Sequence, residues 1–152
     1  MVRGTRNILY AFVCHERRRR AIKFPCQINM HLDKATNFSI SIANDKGEEV
    51  LIGFDKNANQ FFIDRTNSGK IDFEKGFAER HTALRLANTS TMNISLIIDV
   101  ASVELFADDG LITMTDIFFP SKPYNQIHLQ SIGKRTLINR LEFISLKSSL
   151  QQ

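Results

Sequence analysis

No tryptophan occurs in the 152 residues, and tyrosine (Tyr10, Tyr124) and cysteine (Cys14, Cys26) each occur twice. A stand-alone lectin usually stacks exposed aromatic faces on sugar C–H surfaces, and the shortage of Trp and Tyr argues against that. The twelve Phe fall mostly in strand-like or turn-flanking positions, where burial is the default. Two cysteines with eleven residues between them, outside any C-x-x-C pattern, argue against a disulfide framework.

Other absences exclude further function classes. No apolar run comes near the roughly 20 residues that cross a bilayer, so no membrane partner is expected. The early apolar stretch Ile8–Cys14 is followed by His15, Glu16 and four arginines rather than by a small-residue cleavage site, and is not a convincing export signal. His15, His31, His81 and His128 lack zinc-ligand spacing. There is no D-x-D/N-x-D/N-G calcium run, no G-x-x-x-x-G-K-S/T phosphate loop and no G-x-S-x-G nucleophile elbow. No cofactor is expected.

The formal charge of +4 is unevenly spread. Residues 1–23 carry seven basic side chains (Arg3, Arg6, Arg17, Arg18, Arg19, Arg20, Lys23) against Glu16 alone, whereas 24–152 hold 13 basic and 15 acidic residues. A nucleic-acid role would rest on that first segment alone, and an arginine run is usually just solvated. The run HERRRR has no alternation and suits a solvated tail or an exposed helix. Residues 1–23 therefore read as an atypical basic segment preceding a domain at 24–152.

From Phe24 onward short alternating runs are separated by turn residues. Expected strands lie at 38–42, 50–54, 60–64, 93–99, 102–107, 111–118, 126–130 and 141–147. That texture predicts an all-β, two-sheet antiparallel sandwich or barrel. In SVELFADDGLITMTDIFFP, a loop at Asp109-Gly110 sets Ala107 against Ile112 and Leu105 against Met114 on an apolar face. Phe106 then meets Thr113, and Glu104 meets Thr115, on a mostly polar one. Val103 opposite Asp116 breaks the pattern, so a bulge or strand end is expected there.

Two segments, GFDKNANQFFIDRTNSG (53–69) and IIDVASVELFADDGLITMTDIFFP (97–120), together resemble the C-terminal β-sandwich module of glycoside hydrolase family 32, the family of invertases, inulinases and levanases. The resemblance rests on Asp64, Arg65, Ser68 and Gly69, and on Asp99, Ser102, Val103, Glu104, Phe106 and Gly110. It spans roughly residues 26–148, leaves 1–23 unmatched, and implies a concanavalin-like jelly roll docked beside a five-bladed catalytic propeller. In that family the propeller carries the chemistry, and its members are often secreted or periplasmic. Its nucleophile sits in a Trp-Met-Asn-Asp-Pro-Asn-like motif, its acid/base in Glu-Cys and its transition-state stabiliser in Arg-Asp-Pro. Here there is no Trp and no Asp-Pro pair, while Val13 precedes Cys14 and Pro25 precedes Cys26.

Each candidate residue has a structural role at hand. Retaining glycosidases hold two carboxyl groups roughly 5–5.5 Å apart. Asp108 and Asp109, adjacent on a tight turn, should point apart and stay solvated. Asp64, Ser68 and their neighbours can hydrogen-bond the backbone of a turn, and Arg65 can pair with a carboxylate. Asp99 and Ser102 can stabilise a bend, and Glu104 can pair across the sheet with Thr115 or contact a neighbouring domain or sugar hydroxyl. The expectation is a non-catalytic accessory module, present as a fragment or detached, supporting a missing propeller of a fructan- or sucrose-acting glycosidase. The competing reading is an independent carbohydrate-binding module. A module separated from its propeller should expose an apolar patch through which it could form a homo-oligomer.

Overall fold

A computed structural model describes residues 6–14, 18–21, 23–131 and 136–147, with side chains described for 23–130 and 138–147. Among the described residues there are twelve strands: β1 (Arg6–Cys14), β2 (Arg18–Ala21), β3 (Cys26–Leu32), β4 (Phe38–Ala43), β5 (Glu49–Asp55) and β6 (Gln60–Asn67), then β7 (Arg80–Leu84), β8 (Met92–Ile98), β9 (Ser102–Ala107), β10 (Ile112–Ile117), β11 (Gln126–Ser131) and β12 (Thr136–Ser145). They form two six-stranded sheets. Sheet A has the order β1-β12-β3-β8-β9-β10 and sheet B the order β2-β11-β4-β5-β6-β7. All the pairings are antiparallel. The two-sheet sandwich is the architecture the alternating runs predict.

Period-2 alternation decides which side chains enter the space between the sheets. From sheet A come Ile28, Met30 and Leu32, Met92, Ile94, Leu96 and Ile98, and Val103 and Leu105; sheet B supplies Phe38, Ile40 and Ile42, Ile52 and Phe54, and Phe61 and Ile63. All are buried in one continuous core. Each such side chain removed from water contributes about 1.5–3 kcal/mol before the entropy of ordering is set against it.

The hairpin β9–β10 has the expected register, with Ala107 opposite Ile112, Leu105 opposite Met114, Phe106 opposite Thr113 and Glu104 opposite Thr115. Its turn holds Asp108, Asp109 and Gly110 at φ values of 49°, 59° and 87°, the left-handed region that a primed hairpin turn requires. Two expectations fail nearby. Pairing runs unbroken through Val103–Asp116 to Ser102–Ile117, so there is neither bulge nor strand end at Asp116. Asp108 is buried rather than solvated. In both cases a cationic partner from elsewhere in the chain allows the carboxylate to be buried.

The N-terminal segment also differs from expectation. Arg18–Ala21 is neither a tail nor a helix but strand β2, which adds to the edge of sheet B beside β11. Ahead of it, β1 pairs with β12 at the edge of sheet A. Sequence texture missed these strands because both partners, β11 and β12, lie more than a hundred residues downstream.

Candidate functional site

Three features carry most of the polar and aromatic residues singled out by sequence. The first is a seam where β10, at the edge of sheet A, meets β6 and β7 of sheet B. Phe61 and Ile63 point inward from β6, so the same alternation turns Arg65 inward; likewise Ile112 and Met114 on β10 turn Asp116 inward. Arg65 Nη1 lies 3.4 Å from Asp116 Oδ1, and His81 Nδ1, on edge strand β7, lies 2.8 Å from the same oxygen. Arg65 Nη1 also donates to the Ile117 carbonyl at 3.0 Å, and its guanidinium stacks 4.1 Å from the Phe77 ring centroid. Burial raises the Asp116 carboxyl pKa above its usual range, opposed by the charges of Arg65 and His81 and by the His81 hydrogen bond.

Below this pair the backbone closes the seam. Lys70 N–H donates to the Phe119 carbonyl at 2.8 Å, and the Tyr124 hydroxyl donates to the Ser68 carbonyl at 2.6 Å. A Cβ on Gly69 would stand 2.5 Å from the Phe119 oxygen and 2.6 Å from Pro120 Cα, so the approach needs glycine. Phe73, Phe77 and Phe119 form an aromatic cluster beside it, with ring centroids 4.5–5.7 Å apart. Phe73 remains 49% exposed and Phe119 42%, an apolar patch at the surface.

The second feature ties the β9–β10 turn to the chain between β7 and β8. Arg85 Nε and Nη2 donate to the two Asp108 carboxylate oxygens at 2.7 and 3.0 Å, and Arg85 also donates to the Thr89 and Thr91 carbonyls. Asp109 points away from this pair and accepts from Asn93 Nδ2 at 3.2 Å. The adjacent aspartates are thus directed to different partners, which is no arrangement for paired-carboxyl chemistry.

The third is a cleft of about 700 Å³ on the outer face of sheet A, lined by residues of β3, β8, β9, β12 and the β9–β10 turn. Along β3 the inward Cys26, Ile28 and Met30 leave Gln27, Asn29 and His31 facing outward. Asn29 Oδ1 accepts from Gln27 Nε2 and from Ser95 Oγ, each at 2.9 Å, and Asn29 Nδ2 donates to Glu142 Oε2 at 2.9 Å. Arg140 Nη2 lies 3.4 Å from Glu142 Oε1, and the His31 ring is hydrogen-bonded to the Asn93 side chain. Phe106 and Gly110 also line the cleft.

The sequence-selected residues therefore divide. Arg65, Ser68 and Gly69 meet at the seam, and Asp64 beside them accepts from Thr66 N and Oγ1. Asp99 caps its own turn, accepting from Val100 N–H at 2.7 Å, while Asp99 N–H donates to the Ser102 carbonyl. Glu104 stands opposite Thr115, remote from Asp64 in the fold, on the other sheet. Phe106 and Gly110 belong to the cleft. Sequence reasoning missed Asp116, His81, Arg85, Asn29, Asn93 and Glu142. For Asp116 the signal was available: an aspartate at an inward position announces a buried partner. Among the described residues, no group of three or more His, Cys, Asp or Glu is placed to hold a metal ion.

Comparison with known proteins gives a consistent result. A family model described as "Glycosyl hydrolases family 32 C terminal" matches residues 15–145, so the match enters the N-terminal segment that the sequence resemblance left unmatched. The extracellular exo-inulinase of Aspergillus awamori is 33% identical over 119 residues, which is 76% of this chain and 22% of that protein. A levanase of Bacillus sp. (strain L7) is 26% identical over 113 residues, 74% of this chain and 12% of that one. The crystal structure of the Aspergillus awamori exo-inulinase superposes with a TM-score of 0.77 at 26% identity, covering 97% of this chain and 29% of its own. The chain spans less than a quarter of the length of these two curated relatives.

Proposed function

This chain belongs to glycosyl hydrolase family 32, as its C-terminal module, and we propose that it is a non-catalytic accessory sandwich that docks against and steadies the catalytic propeller of a fructan- or sucrose-acting hydrolase. The observation carrying this reading is the extent of the match: most of this chain aligns, but with only 22% of the exo-inulinase. The propeller would supply the nucleophile and acid/base, for which this chain has neither the tryptophan-containing motif nor an Asp-Pro pair.

The carboxylates of the seam and the turn are already engaged. Asp116 is held by Arg65 and His81, and Asp108 by Arg85. A nucleophile held in an ion pair and an acid held protonated are different requirements, and neither group has the second carboxyl that retaining hydrolysis uses. The exposed rings of Phe73 and Phe119, packed on the buried Phe77 beside the Arg65–Asp116 seam, are the surface suited to the propeller. Such patches on isolated domains usually mark a contact.

Two measurements test the reading. Highly purified protein should release no fructose from sucrose, inulin or levan, and clear hydrolysis would overturn it. Co-expression with the N-terminal part of an exo-inulinase relative should raise that part's soluble yield and thermal midpoint. Replacing Phe73 and Phe119 by serine should abolish the gain, and no gain with the unaltered chain would count against docking.

A further inference from the structure

We propose that the cleft on the outer face of sheet A is a binding site for a short neutral oligosaccharide, separate from any catalytic centre. This goes beyond the accessory role and does not depend on it, since a docking module needs no ligand of its own.

Size and chemistry both point this way. A volume of about 700 Å³ falls within the roughly 300–1,000 Å³ usual for small-ligand sites. Polyhydroxylated ligands need donors and acceptors at fixed positions beside an apolar surface. Asn29, Asn93 and Ser95 supply amides and a hydroxyl, Glu142 and Arg140 a charged acceptor and donor, and Phe106 the apolar surface.

These groups are held in place before any ligand arrives. Asn29 is fixed by Gln27, Ser95 and Glu142, and Asn93 by His31 and Asp109. Side chains ordered in advance lose little entropy on binding, which matters for ligands that gain little from apolar burial. Glu142 stands out because it is only 4% exposed although it lies on the outer face of its sheet. An outward carboxylate would ordinarily be solvated; this one is sunk in the cleft wall between Asn29 and Arg140.

The rim is also specified. Two non-glycine residues, Asp108 and Asp109, adopt the left-handed conformation, each at some energetic cost. Arg85 clamps Asp108, Asp108 N–H donates to the Asn93 carbonyl at 2.8 Å, and Asp109 is thereby set against Asn93 at the cleft edge.

Charge selects the ligand class. Arg140 is balanced by Glu142, and Asp109 adds a further negative group, so phosphate or carboxylate ligands would meet repulsion. A neutral ligand meets none.

The test is titration of the 152-residue protein with 1-kestose, maltotriose and cellotriose, with glucose 6-phosphate as the anionic control, followed through backbone amide NMR shifts. At least one neutral trisaccharide should give saturable shifts centred on Asn29, Ser95 and Phe106. Phe106→Ala and Asn29→Ala should weaken that binding by about tenfold. Ser95→Ala, a smaller change, serves if either variant loses native shift dispersion, and it should weaken binding in the same direction. The proposal is overturned if no neutral trisaccharide gives saturable shifts, if the shifts centre outside the cleft, if the variants bind as well as the parent, or if only glucose 6-phosphate binds. None of these results bears on docking to the propeller, so the two readings fail separately.

Discussion

Arg85 and Asp108 form a doubly hydrogen-bonded ion pair whose side chains are only 5% and 6% exposed. The planar guanidinium meets both carboxylate oxygens and spends its remaining donors on Thr89 and Thr91, so one residue fixes both the β9–β10 turn and the loop entering β8. Removing one member of a buried pair strands the other. Arg85→Ala should therefore lower unfolding stability by about 3–5 kcal/mol, measured by urea denaturation at neutral pH. A loss below about 1 kcal/mol would mean that the pair is solvated.

At the seam the consequence depends on pH. A carboxyl whose pKa is raised by folding contributes stability at low pH that is lost as pH rises through the folded value. Asp116 is such a group, raised by burial and held back by Arg65 and His81. Arg65→Met removes the larger of those opposing charges and widens the gap. The variant should be less stable than the parent by about 2 kcal/mol at pH 7, with a smaller deficit at pH 4.5, nearer the range in which Asp116 takes up a proton. Equal deficits at both values would show that Asp116 does not carry the effect.

Gly69 sits at φ 117°, against the Phe119 carbonyl and Pro120. Alanine there meets both an unfavourable backbone conformation and a steric clash with main-chain atoms. Gly69→Ala should cost about 1–3 kcal/mol, visible as a lower thermal midpoint. Gly47→Ala offers a control, because a Cβ at Gly47 meets nothing within 4 Å and only the backbone cost remains. Equal losses in the two variants would remove close packing as the cause.

Burial pushes the Cys26 thiol up to about 12, leaving almost no thiolate at neutral or mildly basic pH. Iodoacetamide at pH 8 should leave Cys26 unmodified in the native protein and alkylate it in denaturing urea, as read by peptide mass spectrometry. Rapid native-state alkylation would show that the end of β3 opens readily.

How much of this was legible from sequence depended on the range of the interaction. The β9–β10 register follows from local alternation about Asp109-Gly110, and Phe38–Ile42 announces itself in the same way. Asp116 was visible but misleading. In isolation an aspartate among inward apolar residues reads as a broken strand, because Arg65 and His81 come from the other sheet. β1 and β2 were not legible, since an arginine-rich run shows no period and its partner β11 lies far along the chain. The cleft was the least legible. Asn29, Asn93 and Glu142 each look like ordinary outward residues of separate strands until the order β12-β3-β8 lines them up.

Composition and alternation alone determined an all-β chain and the placement of its apolar residues, because period-2 burial is written residue by residue along each strand. Which charges are neutralised, where the aromatic patch lies and which polar side chains share a cleft were decided only by tertiary structure. Electrostatic and hydrogen-bond energies depend on distance in space, and in this fold the partners that matter are brought together across strand orders that the linear chain does not record.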